Sequence, residues 1–431
     1  MNYLVEELNS LLADTVSGRL LSPLGRRLYF PKGIIAQSAE AKQGAYTANA
    51  TIGMAYDQGK PLSLSVIREQ IPQLKAEEAL VYAPTAGIPE ARTVWQDRIL
   101  RHNPSLKPEQ MSLPVVVPGL TAGISYMADL FLGAGDSILL SSPCWDNYEL
   151  IFQDRRGAEP RAVPFFDDAG GLDMQAFKNA LEEAAKTGTV RLILNFPNNP
   201  SGYAPTNAEA DTLLACIQAV AQKGADTLVL CDDAYFGLFY EADCIKESLF
   251  SRLARAHERI LAVKIDGPTK EDYVWGFRVG FVTFGSLGLR EGHYEGLVKK
   301  LMGAIRSSVS CSNTPAQCLM LKTLRDERTR SEKEQYFTLL QRRYRRVKQF
   351  LSEHPAHPHL RPLPFNAGYF MSFRCIGISA EVLRRELLTR HGVGAVSFGE
   401  DYLRVAFSSI DEEQIPGVYQ VIYDTARVLG S

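Results

Sequence analysis

Between about residues 110 and 285, short apolar runs alternate with longer stretches patterned at helical spacing. "PVVV" precedes "GLTAGISYMADLFLGAG", "SILLS" precedes "PCWDNYELIF", and "VRLILNF" precedes "NAEADTLLACIQAVAQ". "TLVLCDDAY", "RILAVKI" and "RVGFVTF" follow as three more apolar, β-rich runs. Strands interleaved with amphipathic helices predict an α/β chain with a largely parallel sheet covered on both faces. In such sheets, chemistry collects in loops just beyond the strand carboxyl ends. After a helical stretch at roughly 313–352 the pattern changes. "GYFMSFRC" and "YLRVAFS" read as strands, with helices at about 379–390 and 411–429. These predict a smaller α+β lobe, completed by the amino-terminal segment.

Composition narrows the function classes. The chain of 431 residues is 45% hydrophobic and 22% charged, ordinary for a globular protein with room for a large core. A formal net charge of -2 argues against a sequence-independent grip on nucleic acid, which needs a basic face. The basic run "RRYRRVK" at 342–348 reads as the solvated face of a helix. Seven cysteines are scattered singly, with no CxxC pair and no Cys/His cluster at metal spacing, which predicts a reducing compartment without disulfides or zinc. The opening "MNYLVEELNSLLADTVSG" is acidic and lacks the features of a secretory signal. No apolar run approaches the roughly 20 residues that cross a bilayer. The expectation is a cytoplasmic protein that touches neither membrane nor nucleic acid.

The chemistry-bearing motifs fall at the strand ends. "PGLTAGI" places Gly119, Leu120 and Thr121 where a strand turns into a helix, either an anion site or a simple cap by Thr121. Trp145 in "SSPCWDNY" is a core residue or a stacking platform for a flat ring. "NFPNNPSGY" fixes Asn199 in a rigid turn, as a backbone cap or as a donor to a ligand oxygen. "LVLCDDAYFG" ends a buried strand on Asp232, Asp233, Ala234 and Tyr235, and carboxylates there are costly unless paired. Asp233 is expected to point the opposite way from Asp232. "GPTKEDYVWGFRVG" supplies Lys270, a nucleophile toward a carbonyl once desolvation frees its amine. It also supplies Arg278, a permanent cation suited to phosphate, between Gly276 and Gly280.

Together and in this order, "NNPSG", "DDAY", the K-x7-R-x-G spacing and "YLRVAF" resemble the fold-type-I pyridoxal-phosphate enzymes, within them the class I/II aminotransferases. "PCWDNY" is most similar to the aspartate/aromatic branch, and the resemblance runs from about residue 45 to the end. It implies a seven-stranded, mostly parallel sheet sandwiched by helices, and a small α+β domain built from both termini. The expected domains are an amino-terminal segment at 1–60 joining the small domain, a large cofactor-binding domain at 61–334 and a small domain at 335–431.

The same resemblance implies the site. Lys270 is similar to the Schiff-base lysine, and Lys264, six residues earlier, lacks the matching context. Asp232 matches the carboxylate that keeps the pyridine nitrogen protonated. Tyr235 and Asn199 match the donors to the ring oxygen. Gly119, Leu120, Thr121 and Arg278 resemble the phosphate cup, and Trp145 the stacking ring. Tyr82 in "YAPTAG" stands where the family reaches the neighbouring subunit's cofactor, implying a homodimer with shared active sites. Arg404 stands where the family binds the substrate α-carboxylate, with Gly53 beside it.

Three features depart from the family pattern. The usual serine three residues before the lysine is Gly267, so the expected cup either loses one donor or replaces it with Thr269. Glu271 and Asp272 set two negative charges beside Lys270, expected either to raise its pKa or to face solvent. Arg306 precedes an S-N-x-P turn, like the arginine that reads a distal carboxylate, but at a spacing two residues too long. The expected activity is two-stage exchange between an amino acid, either aspartate/glutamate or aromatic, and a 2-oxo acid. A β-lyase, an aminocyclopropane-forming synthase and a non-catalytic cofactor sensor are the rivals.

Overall fold

The computed structural model describes residues 3–13, 15, 21–28, 33–167 and 170–431. Parts of the expected 1–60 segment, including much of the end of "MNYLVEELNSLLADTVSG", therefore lie outside the described residues. Seven strands form the central sheet: β1 Val115–Val117, β2 Ser137–Ser142, β3 Glu159–Pro164, β4 Thr189–Asn195, β5 Asp226–Asp232, β6 Ile260–Asp266 and β7 Gly280–Gly285. Their order is β1-β7-β6-β5-β4-β2-β3, parallel except for β7, which runs antiparallel to both of its neighbours.

Both faces of the sheet are covered, as the unbroken apolar runs require. Leu139, Leu192, Val229, Ala262 and Phe281 pack to one side. Leu140, Ile193, Leu230, Val263 and Val282, each the next residue along, pack to the other. Register then aligns the carboxyl ends: Asn195 of β4 sits opposite Asp232 of β5, which sits opposite Ile265 of β6.

The edge strand β3 has no counterpart among the apolar runs. "EPRAVP" carries a proline at each end of a mostly exposed segment, tolerable only where a strand needs no second partner. "PCWDNYELIF" forms a short helix, Asn147–Glu149, continued by a π-helical turn, Leu150–Arg155. The expected 313–352 helix is two, Thr314–Arg325 and Arg328–Glu353. Asp326 separates them, its carboxylate accepting the Arg328 N–H at 3.0 Å.

A four-stranded sheet, in the order Leu360–Pro362, Phe370–Cys375, Tyr402–Ala406, Val396–Phe398, carries the second lobe. Helices Ala380–His391 and Ile415–Leu429 pack on it. Its core also takes Ala48, Ala50, Leu62, Leu64 and Ile67 from early in the chain. Helix Arg328–Glu353 runs through the expected boundary at 334/335 and contributes Leu340, Tyr344, Val347 and Phe350 to this core. The solvated-face reading of "RRYRRVK" fails at Arg343. That side chain is fully buried, pairing with Asp57 and Asp411 at 2.8 and 3.1 Å and donating to the Ser408 carbonyl. Among the described residues no helix is long and apolar enough to cross a membrane.

Candidate active site

At the carboxyl ends of β4, β5 and β6, against the second lobe, lies a cavity of about 280 Å³. Its walls include Gly53, Leu120, Thr121, Trp145, Asn199, Asp232, Tyr235, Lys270, Arg278 and Arg404, ten of the positions singled out by sequence. A larger hollow of about 780 Å³ lies where β4 and β5 begin, around Thr189 and Asp226, and holds none of them.

Asp232 is buried and held from three sides. The Tyr148 hydroxyl donates to its carboxylate at 2.5 Å, the Ala234 amide donates at 3.2 Å, and the Asn195 amide donates to its carbonyl at 2.8 Å. Burial pushes its acid up to about 6, against the Tyr148 hydrogen bond and the Lys270 charge. Asp233 points to the other face, accepting from the Ser248 hydroxyl at 2.6 Å.

The two lysines considered in the sequence have opposite environments. Lys264 is buried in an ion pair with Asp233, with Asp266 at 3.4 Å. Burial disfavours its charge, but these carboxylates outweigh that and hold it above the usual lysine range. Lys270 sits in the cavity with Nζ 4.9 Å from the Tyr235 ring centroid. Desolvation brings its ammonium down to about 8, against the Asp232 charge and helped by Arg278. Glu271 and Asp272 do neither of the things expected of them. They turn away from the cavity into ion pairs with Arg98 and Lys333.

Arg404 is 2% exposed. It donates to the Asn199 side-chain oxygen at 2.8 Å and the Thr51 carbonyl at 3.0 Å, and lies over the Phe370 ring at 4.2 Å. Its buried Nε has no protein partner, and among the described residues no carboxylate is ion-paired with it. A buried guanidinium in that state is a ready site for an anion.

At the other end of the cavity, helix Leu120–Phe131 starts with Gly119 at φ 90. The Gly119 N–H is taken by the Val117 carbonyl at 2.8 Å, so it is not one of the free donors of a phosphate cup. What the glycine provides is space, since a Cβ there would run into the Arg278 guanidinium. Arg278 has a left-handed backbone, φ 53, and donates to the Trp275 carbonyl at 3.3 Å.

Gly267 has a steric reason as well. A Cβ there would lie 2.8 Å from the Val279 carbonyl oxygen and 3.0 Å from the Gly280 Cα, leaving no room for serine. Gly267→Ser is therefore expected to destabilise the fold by about 1–3 kcal/mol, the usual range for overpacking, rather than to add a useful donor. Denaturant unfolding beside the wild type checks this. Thr269 does line the cavity.

Tyr82 and Arg306 lie outside the cavity of this chain. Tyr82 is 88% exposed, and Arg306 ends helix Glu291–Arg306 and donates to the Ser310 hydroxyl. Sequence reasoning missed Tyr148 and Asn195, which hold Asp232, and Tyr369, whose hydroxyl donates to the Lys270 carbonyl at 2.9 Å. Tyr148 stood within "PCWDNY", in the short helix Asn147–Glu149, but its contact with Asp232, 84 residues away, exists only in the folded chain.

One cavity thus brings together a lysine whose ammonium is lowered by desolvation, a buried acid and a buried arginine with no ion-paired carboxylate among the described residues. The family profile for aminotransferase class I and II matches residues 53–422, and the chain belongs to that family of pyridoxal-phosphate-dependent enzymes. It is similar to the aspartate/prephenate aminotransferase of Thermus thermophilus, 24% identical over 84% of this chain and 87% of that one. It is also 24% identical to aromatic-amino-acid aminotransferase 2 of Thermococcus litoralis, over 77% of this chain and 80% of the other. Among solved structures, an aminotransferase from Anaerococcus prevotii superposes with a TM-score of 0.83 at 20% identity, covering 94% of this chain and 98% of its own.

Proposed function

We propose that this cavity binds pyridoxal phosphate and exchanges the amino group of an α-amino acid with a 2-oxo acid. The observation that carries the reading is one cavity holding both Arg404, buried with no ion-paired carboxylate among the described residues, and Lys270, whose ammonium falls to about 8. The residues fit the cofactor: Gly119 lets the Arg278 guanidinium lie against the helix start, a cationic site that suits a phosphate, and buried Asp232 suits a protonated ring nitrogen. When bound, the cofactor supplies an aldehyde for amine exchange and a ring that accepts electrons from the substrate α-carbon.

Lys270 would hold the cofactor, and its free amine would move the proton from the substrate α-carbon to the cofactor carbon that receives the amino group. Asp232, ionised at neutral pH, keeps a proton on the ring nitrogen. Tyr235 and Asn199 donate to the ring oxygen, the Asn199 side-chain oxygen being already occupied by Arg404. Thr121, the amide of Leu120 and Arg278 would hold the phosphate, and Trp145 on the cavity wall would serve the ring. Arg404 grips the substrate α-carboxylate, with Gly53 on the same cavity wall beside it.

The assembly is a homodimer in which exposed Tyr82, beside exposed Leu80 and Val81, reaches the partner's cofactor. We keep the divisions 1–60, 61–334 and 335–431, with helix Arg328–Glu353 as the connection between lobes. All seven cysteines are free thiols, which supports the cytoplasm. On the substrate side chain, the apolar lining from Ile34, Met54, Trp275 and Phe370 supports aromatic amino acids, in keeping with the name of the Thermococcus litoralis relative. Aspartate and glutamate join them if Arg306 is delivered across the dimer.

The test is a single-turnover scan of amino acids without an acceptor. Loss of the resting cofactor absorbance with aromatic amino acids, and its return on adding 2-oxoglutarate, is the expected result. Ammonia and pyruvate from a sulfur amino acid would mark a β-lyase instead.

A further inference from the structure

Behind Lys270, on the side away from the cavity, four charges close on one another. Arg98 pairs with Glu271 and Asp272, both at 2.6 Å, and Lys333 pairs with the same two carboxylates at 2.9 and 2.7 Å. Arg98 is 4% exposed and Asp272 2%. Burial opposes the charge on Arg98, yet Asp272 and Glu271 outweigh it. Burial likewise opposes the charge on Glu271, which Arg98 and Lys333 hold ionised.

A cluster of this kind is a poor source of stability, because desolvating the ions offsets most of their attraction. What a planar guanidinium spanning two carboxylates does supply is a fixed position for the backbone that carries them. Here that backbone is the single turn holding Lys270. Within it, the Asp272 N–H donates to the Pro268 carbonyl at 2.9 Å and the Val274 N–H to the Thr269 carbonyl at 3.2 Å. Helix Pro89–His102 grips both ends of this turn. Trp95 donates through Nε1 to Asp266, the last residue of β6, at 3.0 Å, and the Arg98 guanidinium lies over the same Trp95 ring at 4.8 Å. Lys333 adds a tie to helix Arg328–Glu353, on which the second lobe is built.

We propose that Arg98, seconded by Lys333, is a positioning residue that fixes the Lys270 turn through Glu271 and Asp272, setting where the amine meets the cofactor carbonyl. This rests on the reading of Lys270 given above. Neither cation touches the reacting atoms.

The experiment compares full-length wild type, Arg98→Lys and the neutral triple variant Arg98→Met/Glu271→Gln/Asp272→Asn, each stripped of cofactor. Melting temperature, the rate of covalent capture of pyridoxal phosphate followed by absorbance, and kcat and KM after reconstitution are measured. The triple variant leaves no unpaired carboxylate, and the one charge it strands, Lys333, is 22% exposed and can turn to solvent, so it is expected to melt near the wild type. Both variants are expected to capture the cofactor more slowly, by up to about 10²-fold, the penalty of a misplacement near 1 Å. kcat is expected to fall with them, while KM for the amino acid stays within about twofold because Arg404 is untouched. Wild-type capture and kcat in the triple variant would show that the cluster only supports the fold, and would overturn the proposal. Failure of the wild type itself to form a covalent link at Lys270 would instead overturn the reading of Lys270, and this proposal with it.

Discussion

Lys270→Ala protein is expected to lose turnover by about 10⁴-fold or more while keeping its melting temperature. The loss follows from removing a general base, which contributes roughly 10²–10⁴-fold, together with the nucleophile that holds the cofactor. The stability follows from the environment, because among the described residues Lys270 has no ion pair to break and its ammonium is already disfavoured by desolvation. Lys264→Ala is the contrasting variant. It strands Asp233 and Asp266 without their buried cation and is expected to cost about 3–5 kcal/mol of stability. Steady-state turnover and thermal melts of the two variants check both halves. The pH dependence has a definite sign. Since only the free amine attacks a carbonyl, cofactor capture by wild type rises as pH passes upward through about 8 and then levels off.

Asp232→Asn is the second large effect. A neutral amide cannot hold a proton on the ring nitrogen by charge, and loss of one preorganised electrostatic group costs about 10²–10³-fold in kcat. Burial raises the Asp232 acid to about 6 in the chain without cofactor, and the positive ring nitrogen it would face favours the ionised form in the loaded enzyme. Linkage gives the stability sign. A carboxyl whose folded pKa lies above its unfolded one contributes stability at low pH that is lost as pH rises through about 6. At pH 7 the ionised Asp232 is therefore a strain on the fold, and Asp232→Asn is expected to melt no lower than the wild type. The kcat of both proteins, and a pH series of their melting temperatures without cofactor, test this.

The sheet was legible where strands are buried on both faces, because an unbroken run such as "VRLIL" or "TLVLC" has few other uses. Edge strand β3 was not, since half-exposed "EPRAVP" carries no such signature. Among site residues, those in short motifs at strand ends were readable because their chemistry is costly to bury without purpose. The groups behind them were not. Tyr148 acts on Asp232 across 84 residues, and Arg98 on Asp272 across 174, distances that only the folded chain closes. The same limit hid Arg343, whose burial depends on Asp57 and Asp411 arriving from both ends of the chain. Charge beside Lys270 in the sequence said nothing of its direction, and in the fold Glu271 and Asp272 face away.

The central claim is that Lys270 is the lysine that holds the cofactor. Borohydride reduction of the purified holoenzyme, followed by proteolysis and mass spectrometry, tests it most directly. The account predicts a pyridoxyl phosphate group on the peptide containing Lys270 and none on Lys264. A label on Lys264, or no labelled lysine at all in cofactor-loaded protein, would contradict it.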